Sequence, residues 1–201
     1  MSADTIAATM ISGGLVKKTV TLSNTGGTNL EWSLWSGFFM KEELTDYKLE
    51  ANQLHLSDKV WITRNGYNGP FNIKETSNYS YNPSSVKWAL GATKDLLSTA
   101  YSADWNSLVY SLSYNFNNLP GKVVSLYMVE EGRYFDFFFT NYTNNGAMGF
   151  YYAEVGSISP NEGEILPGEA EVVELSLSAE GLDAGVHYQE FTLFHLSLIH
   201  I

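Results

Sequence analysis

The sequence predicts an all-β protein, a β-sandwich whose two parts are separated along the chain by a β-rich insert. Three observations carry that expectation. The stretch "TVTLSNTGGTNLEWSL" (19–34) alternates apolar and polar residues on both sides of a turn-forming run. The same pattern resumes only after Ile158, in "ISPNEGEILPGEAEVVELSLS" and "FTL". Between them, "KVVSLYMVEE", "RYFDFFFTNYT" and "MGFYYAEV" are runs dense in the aromatic and β-branched residues that suit a pleated surface.

Taken in chain order, Val20 and Leu22 alternate with Thr19, Thr21 and Ser23, "NTGGTN" supplies a turn, and Leu30, Trp32 and Leu34 alternate with Glu31 and Ser33. Two antiparallel strands with one apolar face each follow from this. The insert, 37–155, begins "FFMKEELTDYKLEANQLHLSD", expected to open with a short helical turn and continue as polar linker. "KVWITRNGYNGPFNIKETSNYSYNPSSVKWALG" reads as strands broken by Gly, Asn and Pro. The three aromatic runs then predict an antiparallel meander, joined by a tight turn at Glu131–Gly132 and by "NNGA" at Asn144–Ala147. Beyond the insert, Val173, Leu175 and Leu177 alternate with polar neighbours, and Phe191 and Leu193 begin a last strand. The segments 1–36 and 156–195 should therefore pair in one sandwich, with Trp32 and Leu175 in a common core. The final residues, "LSLIHI" (196–201), match one translated frame of a transposon-based sequencing adapter and are expected to be a read-through artefact. The alternative is a genuine terminal strand, because "FTLFHLSLIHI" also alternates.

The bulk composition narrows the function classes. A chain of 201 residues, 44% apolar and 14% aromatic, has the material for substantial cores. With no cysteine it has no disulfide, thiolate metal site or cysteine nucleophile. Eleven basic residues against 22 acidic ones give a net charge of -11, which would repel a phosphate backbone and excludes nucleic acid as an expected partner. Runs such as "SGFFM" fall far short of the roughly 18 apolar residues of a membrane helix, so no membrane insertion is expected. The N-terminus lacks the basic flank and apolar segment of a signal peptide, so either the protein is intracellular or the chain is a piece of a longer polypeptide carrying further domains, the second being favoured by the adapter-like end of the chain.

Four motifs in order, N-T-G at Asn24–Gly26, L-x-W at Leu30–Trp32, "SPNEGEILPG" from Ser159 and "GLDAGVHY" from Gly181, resemble the immunoglobulin-like modules repeated in bacterial surface and secreted proteins. The resemblance covers about residues 5–36 and 156–195 and implies an immunoglobulin-like sandwich. The chain departs from it where those modules carry a tryptophan before the S-P turn: here the sequence is "EVGSISP", with Val155 nearby. Within the insert, Trp61, Thr63, Arg64, Phe71, Glu75, Pro83, Trp88, Gly91, Tyr134, Asp136 and Phe150 follow the order of an uncharacterised module of secreted Bacteroidetes proteins. That second resemblance implies a place outside the cell and no particular chemistry.

The candidate sites are few. Asp136 in "RYFDFFF" lies on a strand whose two faces are both largely apolar, so its carboxylate should be partly desolvated and need a partner. Arg64 is the expected partner through its planar fork, with Glu75 as competitor or third member. A structural ion pair is the favoured reading of this cluster, ahead of an acid/base pair or ligand anchor. Tyr67, Phe71, Tyr79, Tyr81, Trp88, Tyr101 and Trp105 lie in or beside loops where ring faces can stack on sugars. Core packing is preferred for Trp61 and Trp88, while Tyr67, Tyr79 and Tyr81 are the candidate ligand-binding residues. His55, His187 and the acidic turns fit no triad, metal spacing or calcium loop, so no catalytic residue, metal or cofactor is expected. The expected function is a non-catalytic extracellular β module, a spacer or adhesion unit of a larger bacterial protein that meets a glycan or another surface protein. A carbohydrate-binding module and an accessory domain of a secreted hydrolase are the alternatives.

Overall fold

The computed structural model describes residues 14–77, 83–112, 115–178 and 191–196. Along these residues run β1 (Leu15–Ser23), β2 (Leu30–Trp35), β3 (Gly37–Lys41), β4 (Leu54–His55), β5 (Trp61–Arg64), β6 (Pro70–Asn72) and β7 (Val86–Leu90). A short helix α1 (Asn106–Ser111) precedes β8 (Val123–Met128), β9 (Arg133–Tyr142) and β10 (Met148–Glu154). The chain continues with β11 (Ile158–Ser159), β12 (Glu162–Ile165), β13 (Ala170–Ser178) and β14 (Thr192–Leu196). It divides into two units, Met1–Ser36 with Gly156–Ile201, and Gly37–Val155.

The first unit holds two antiparallel sheets of three strands, in the orders β1-β13-β11 and β12-β2-β14. Each sheet combines strands from both ends of the chain. The pairing of β1 with β13 runs from Leu15↔Ser178 to Ser23↔Ala170. Trp32, Leu34, Val173 and Leu175, all on the alternating apolar positions, are buried. The N-T-G motif has a physical task here. Asn24 is buried, donates through Nδ2 to the carbonyls of Thr28 (2.7 Å) and Ile165 (2.8 Å), and accepts from Gly26 N–H (2.9 Å). Its backbone exchanges two further hydrogen bonds with Gly168 and Glu169, in the turn that follows Pro167. One side chain thus closes its own turn and ties it to a segment more than 140 positions away. The last strand ends at Leu196, and 197–201 lie outside the described residues.

The second unit is organised by a five-stranded antiparallel sheet in the order β3-β10-β9-β8-β7, beside a small sheet β4-β5-β6. The predicted meander is β8-β9-β10, and its turns contain Gly132 at φ 68° and Gly146 at φ 94°, conformations that a residue with a Cβ resists. The segment "GFFMK" forms an edge strand paired with β10, in place of the expected helical turn. Its period is two: Phe39 and Lys41 are buried while Phe38 and Met40 face out, and a partner strand outweighs weak local helix preference. Alternation along β9 sends Phe135, Phe137 and Phe139 into the core. There they meet Leu126 and Met128 of β8, Trp88 of β7, Ile62 of β5, and Leu108 and Leu112, which lie one helical turn apart at α1. Trp105 belongs to this interior and Phe71 is likewise buried, 1% exposed each, and so both leave the set of loop aromatics free to stack on a ligand.

Candidate functional site

The face of the five-stranded sheet opposite the core is aromatic as well. Strand register places Phe38 (β3), Tyr151 (β10), Phe138 (β9) and Val123 (β8) in one row across four strands. Phe38 is 48% exposed, and the other three are half-buried. Two residues further along, Ala153, Asp136, Ser125 and Ala89 form a second row, and beyond it Tyr134, Tyr127 and Lys87 form a third. The first and third rows are mainly aromatic, and the second, with Asp136 and Ser125 between two alanines, is buried.

A strap of chain accounts for that burial. After β7, Gly91 turns at φ 118° with its N–H bonded to the carbonyl of Val123, and the chain passes through short turns at Thr93–Asp95 and Ser98–Ala100. It returns to β7 at Ser102, which exchanges two 2.8 Å hydrogen bonds with Trp88. The strap is pinned to Asp136, whose Oδ1 accepts from the backbone N–H (2.9 Å) and the hydroxyl (2.6 Å) of Thr93. Thr93 Oγ1 lies 2.5 Å from Ser125 Oγ, which lies 2.6 Å from the Tyr101 hydroxyl. The direction of each bond follows in turn. Thr93 spends its proton on the carboxylate and accepts from Ser125; Ser125 has then spent its own and accepts from Tyr101. The four groups form one oriented chain, Tyr101 to Ser125 to Thr93 to Asp136.

Tyr101 joins the third row at the end of that chain. Tyr127 and Tyr134 stack at 4.5 Å between centroids and 21° between planes. Tyr101 stands steeply against both, at 6.2 Å and 67° from Tyr127 and at 5.6 Å and 66° from Tyr134. The Tyr134 phenol is raised above its ordinary pKa by desolvation and then by the neighbouring phenols of Tyr127 and Tyr101.

The expected cluster of Arg64, Glu75 and Asp136 is not formed: no hydrogen bond or ion pair joins any two of the three. Glu75 is held by the N–H and hydroxyl groups of Ser84 and Ser85, and these bonds lower its pKa against the opposing effect of burial. Arg64, 1% exposed, donates from Nε to the carbonyl of Asn68 (2.8 Å) and from Nη1 to that of Ala147 (2.7 Å). Its guanidinium lies 3.6 Å from the centre of the Tyr142 ring. The sequence signals a carboxylate that needs partners, and the buried Arg64 is a guanidinium that needs them as well. Hydroxyls and backbone carbonyls from nearby loops fill those needs, and side-chain type alone does not reveal them. Tyr67 is 79% exposed on the Asn65–Asn68 turn, while Tyr79 and Tyr81 lie outside the described residues.

Lys41 is a second buried cation, 1% exposed, with Nζ 3.3 Å from the carbonyls of Glu42 and Gly146. Among the described residues no carboxylate lies within ion-pair distance of Lys41 or Arg64. Burial, then the charge of Arg64, lowers the Lys41 pKa from 10.5, with Asp46 opposing. The folded protein therefore releases this proton before the unfolded chain does. Stability should rise with pH between the lowered value and 10.5, because there the unfolded state binds more protons. Below that window the cost of the buried charge is present in full. In denaturant titrations across the alkaline range the stability of wild type relative to Lys41→Met should shift in favour of wild type as pH rises, and parallel profiles would contradict this assignment.

Among the described residues no group of three or more His, Asp or Glu side chains is placed to hold a metal ion, and no helix is long and apolar enough to cross a membrane. No protein-family model, curated protein or solved structure matches this chain.

Several members of the aromatic face were missed from the sequence: Phe38, Tyr127, Phe138 and Tyr151. Alternation within each run already separates inward from outward positions. Register between runs, which aligns the outward residues into rows, is a property of the pairing.

Proposed function

We propose that the protein is a non-catalytic adhesion module, a β unit of a larger secreted or surface bacterial polypeptide. The aromatic outer face of the five-stranded sheet carries this reading. A unit acting only as a spacer would ordinarily solvate such a face with polar side chains, whereas Phe38, Met40, Tyr151, Phe138, Tyr127 and Tyr134 stand there at least partly exposed. The immunoglobulin-like character of the first unit rests on the four-motif resemblance, and the extracellular setting on the insert's resemblance to a module of secreted Bacteroidetes proteins. Asp136 and Glu75, the carboxylates on which a hydrolase reading would rely, are each committed to a separate loop, which favours adhesion over an accessory catalytic role.

The test is saturable binding of the labelled protein to immobilised mucin, plant cell-wall polysaccharide and peptidoglycan. Wild type should bind at least one of them. The double substitution Phe38→Asp with Tyr127→Asp, which places charge in both aromatic rows, should reduce retention at least tenfold while circular dichroism stays unchanged. A wild type that binds none of these surfaces, or a folded double variant that binds as well as wild type, would remove the proposal.

A further inference from the structure

We infer that Tyr101, Tyr127 and Tyr134 form a binding station for a saccharide ring without positive charge, and that Asp136, acting through Thr93 and Ser125, is the positioning residue for Tyr101. This rests on the adhesion reading and narrows its ligand.

The ring geometry comes first. Two nearly parallel tyrosines and a third at 66–67° to them make a corner of ring surfaces in different orientations. A pyranose matches such a corner because its C–H faces stack on rings while its equatorial hydroxyls bond phenols at the rim. The second consideration is preorganisation. Tyr101 sits on a loop, where a free aromatic would lose rotational freedom on binding. Its hydroxyl is instead fixed as a donor to Ser125 (2.6 Å), itself completely buried, in a chain that ends on the 7% exposed Asp136 carboxylate. The ordering cost is met during folding, and the Tyr101 oxygen keeps a lone pair to accept from a ligand hydroxyl.

Charge selects among ligand classes. Lys87 lies directly across from Tyr127 on the same face, so a cationic ligand would meet a like charge beside the rings. Arg133, next in sequence to Tyr134, is bidentate to Glu154 (2.7 and 2.8 Å) and bonds Glu131 (3.1 Å), so it is not available to attract an anion. Lys87, by contrast, would attract an anion as readily as it repels a cation, so charge excludes a cationic ligand and leaves a neutral or acidic saccharide.

The experiment titrates the full chain with cellohexaose, xylohexaose and mannohexaose by calorimetry and by tyrosine-region NMR, with choline as a cationic comparison. At least one oligosaccharide should bind, and Tyr127→Ala and Tyr134→Ala should each weaken it tenfold or more. Phe38→Ala, in the other aromatic row, should change it less than threefold. Thr93→Val cuts the hydroxyl chain without touching the ligand surface. It should weaken binding about fivefold, and Thr93→Ser, which restores the hydroxyl, should recover it. Equal loss in Thr93→Ser and Thr93→Val would remove the positioning role. Binding of choline in preference to the sugars, oligosaccharide binding that survives both tyrosine substitutions, or no oligosaccharide binding would overturn the saccharide station. The adhesion reading stands in that last case if the protein still binds an immobilised surface through its aromatic face, so the two failures are distinct.

Discussion

Arg64→Met should lower folding stability by about 4 kcal/mol, the largest loss expected from any single polar side chain in the unit 37–155. Methionine approximates the length of the arginine stem, so the cavity term is small and the result isolates the head group. Loss of the guanidinium leaves the carbonyls of Asn68 and Ala147 without their donor in a buried place, at about 1–3 kcal/mol each. It also removes a desolvated stack on Tyr142, worth about 2 kcal/mol. Relief of a buried charge offsets part of this, and burial already disfavours the charged form, as the lowered Arg64 pKa shows. Arg64→Lys should recover little, because a point charge cannot reproduce a fork that reaches two carbonyls while lying flat on a ring. Urea denaturation followed through the near-ultraviolet signal of Trp88 and Trp105 measures this. A midpoint within error of wild type for Arg64→Met would show that the two carbonyls find other donors.

The second large effect belongs to Trp105. It is 1% exposed, edge-on to Trp88 at 4.9 Å, stacked near Phe116 at 6.0 Å and Tyr142 at 5.9 Å, and lies against Phe139 at 6.1 Å. Trp105→Ala should cost about 3–5 kcal/mol through lost burial and an incompletely collapsed cavity. The same side chain explains Gly69. A Cβ there would stand 2.4 Å from Trp105 Cδ1 and 2.6 Å from Cγ, and an indole held on several sides by other rings has no room to retreat. Gly69→Ala should therefore cost about 1–3 kcal/mol by overpacking. In a Trp105→Ala background the same change should cost less but not nothing, since the ring is gone while the Cβ of residue 105 remains 2.9 Å from the added one. Additive losses across this double-mutant cycle would mean that the approach of Trp105 is not what requires glycine at position 69.

Much of the local structure is readable from residue order because it depends on near neighbours. Alternation in "RYFDFFFTNYT" separates Phe135, Phe137 and Phe139 from Tyr134, Asp136 and Phe138, and the two groups face opposite sides of the sheet. Glycines after Glu131 and Asn145 mark turns that require positive φ. Strand-like runs before Gly37 and after Ile158 pair with each other in two sheets. Where reading by neighbours fails, a distant partner is the cause. "GFFMK" has ambiguous local preference and is a strand because β10 lies beside it, and Trp105, read as a loop residue, is core because its loop folds back over the sheet.

The polar residues divide along the same line. Sequence alone determined that Asp136 would be desolvated and would need partners, because it lies within an apolar run whose period is a property of the extended backbone. Only the tertiary structure decided what those partners are. A buried carboxylate is satisfied by any well-placed donors, and a strap closing over the sheet brings Thr93 to Asp136 across 43 positions. A turn brings the Ala147 carbonyl to Arg64 across 83. The tyrosine corner is tertiary for the same reason: Tyr101, Tyr127 and Tyr134 come from a strap and two strands, and only loop closure together with cross-strand register sets them side by side.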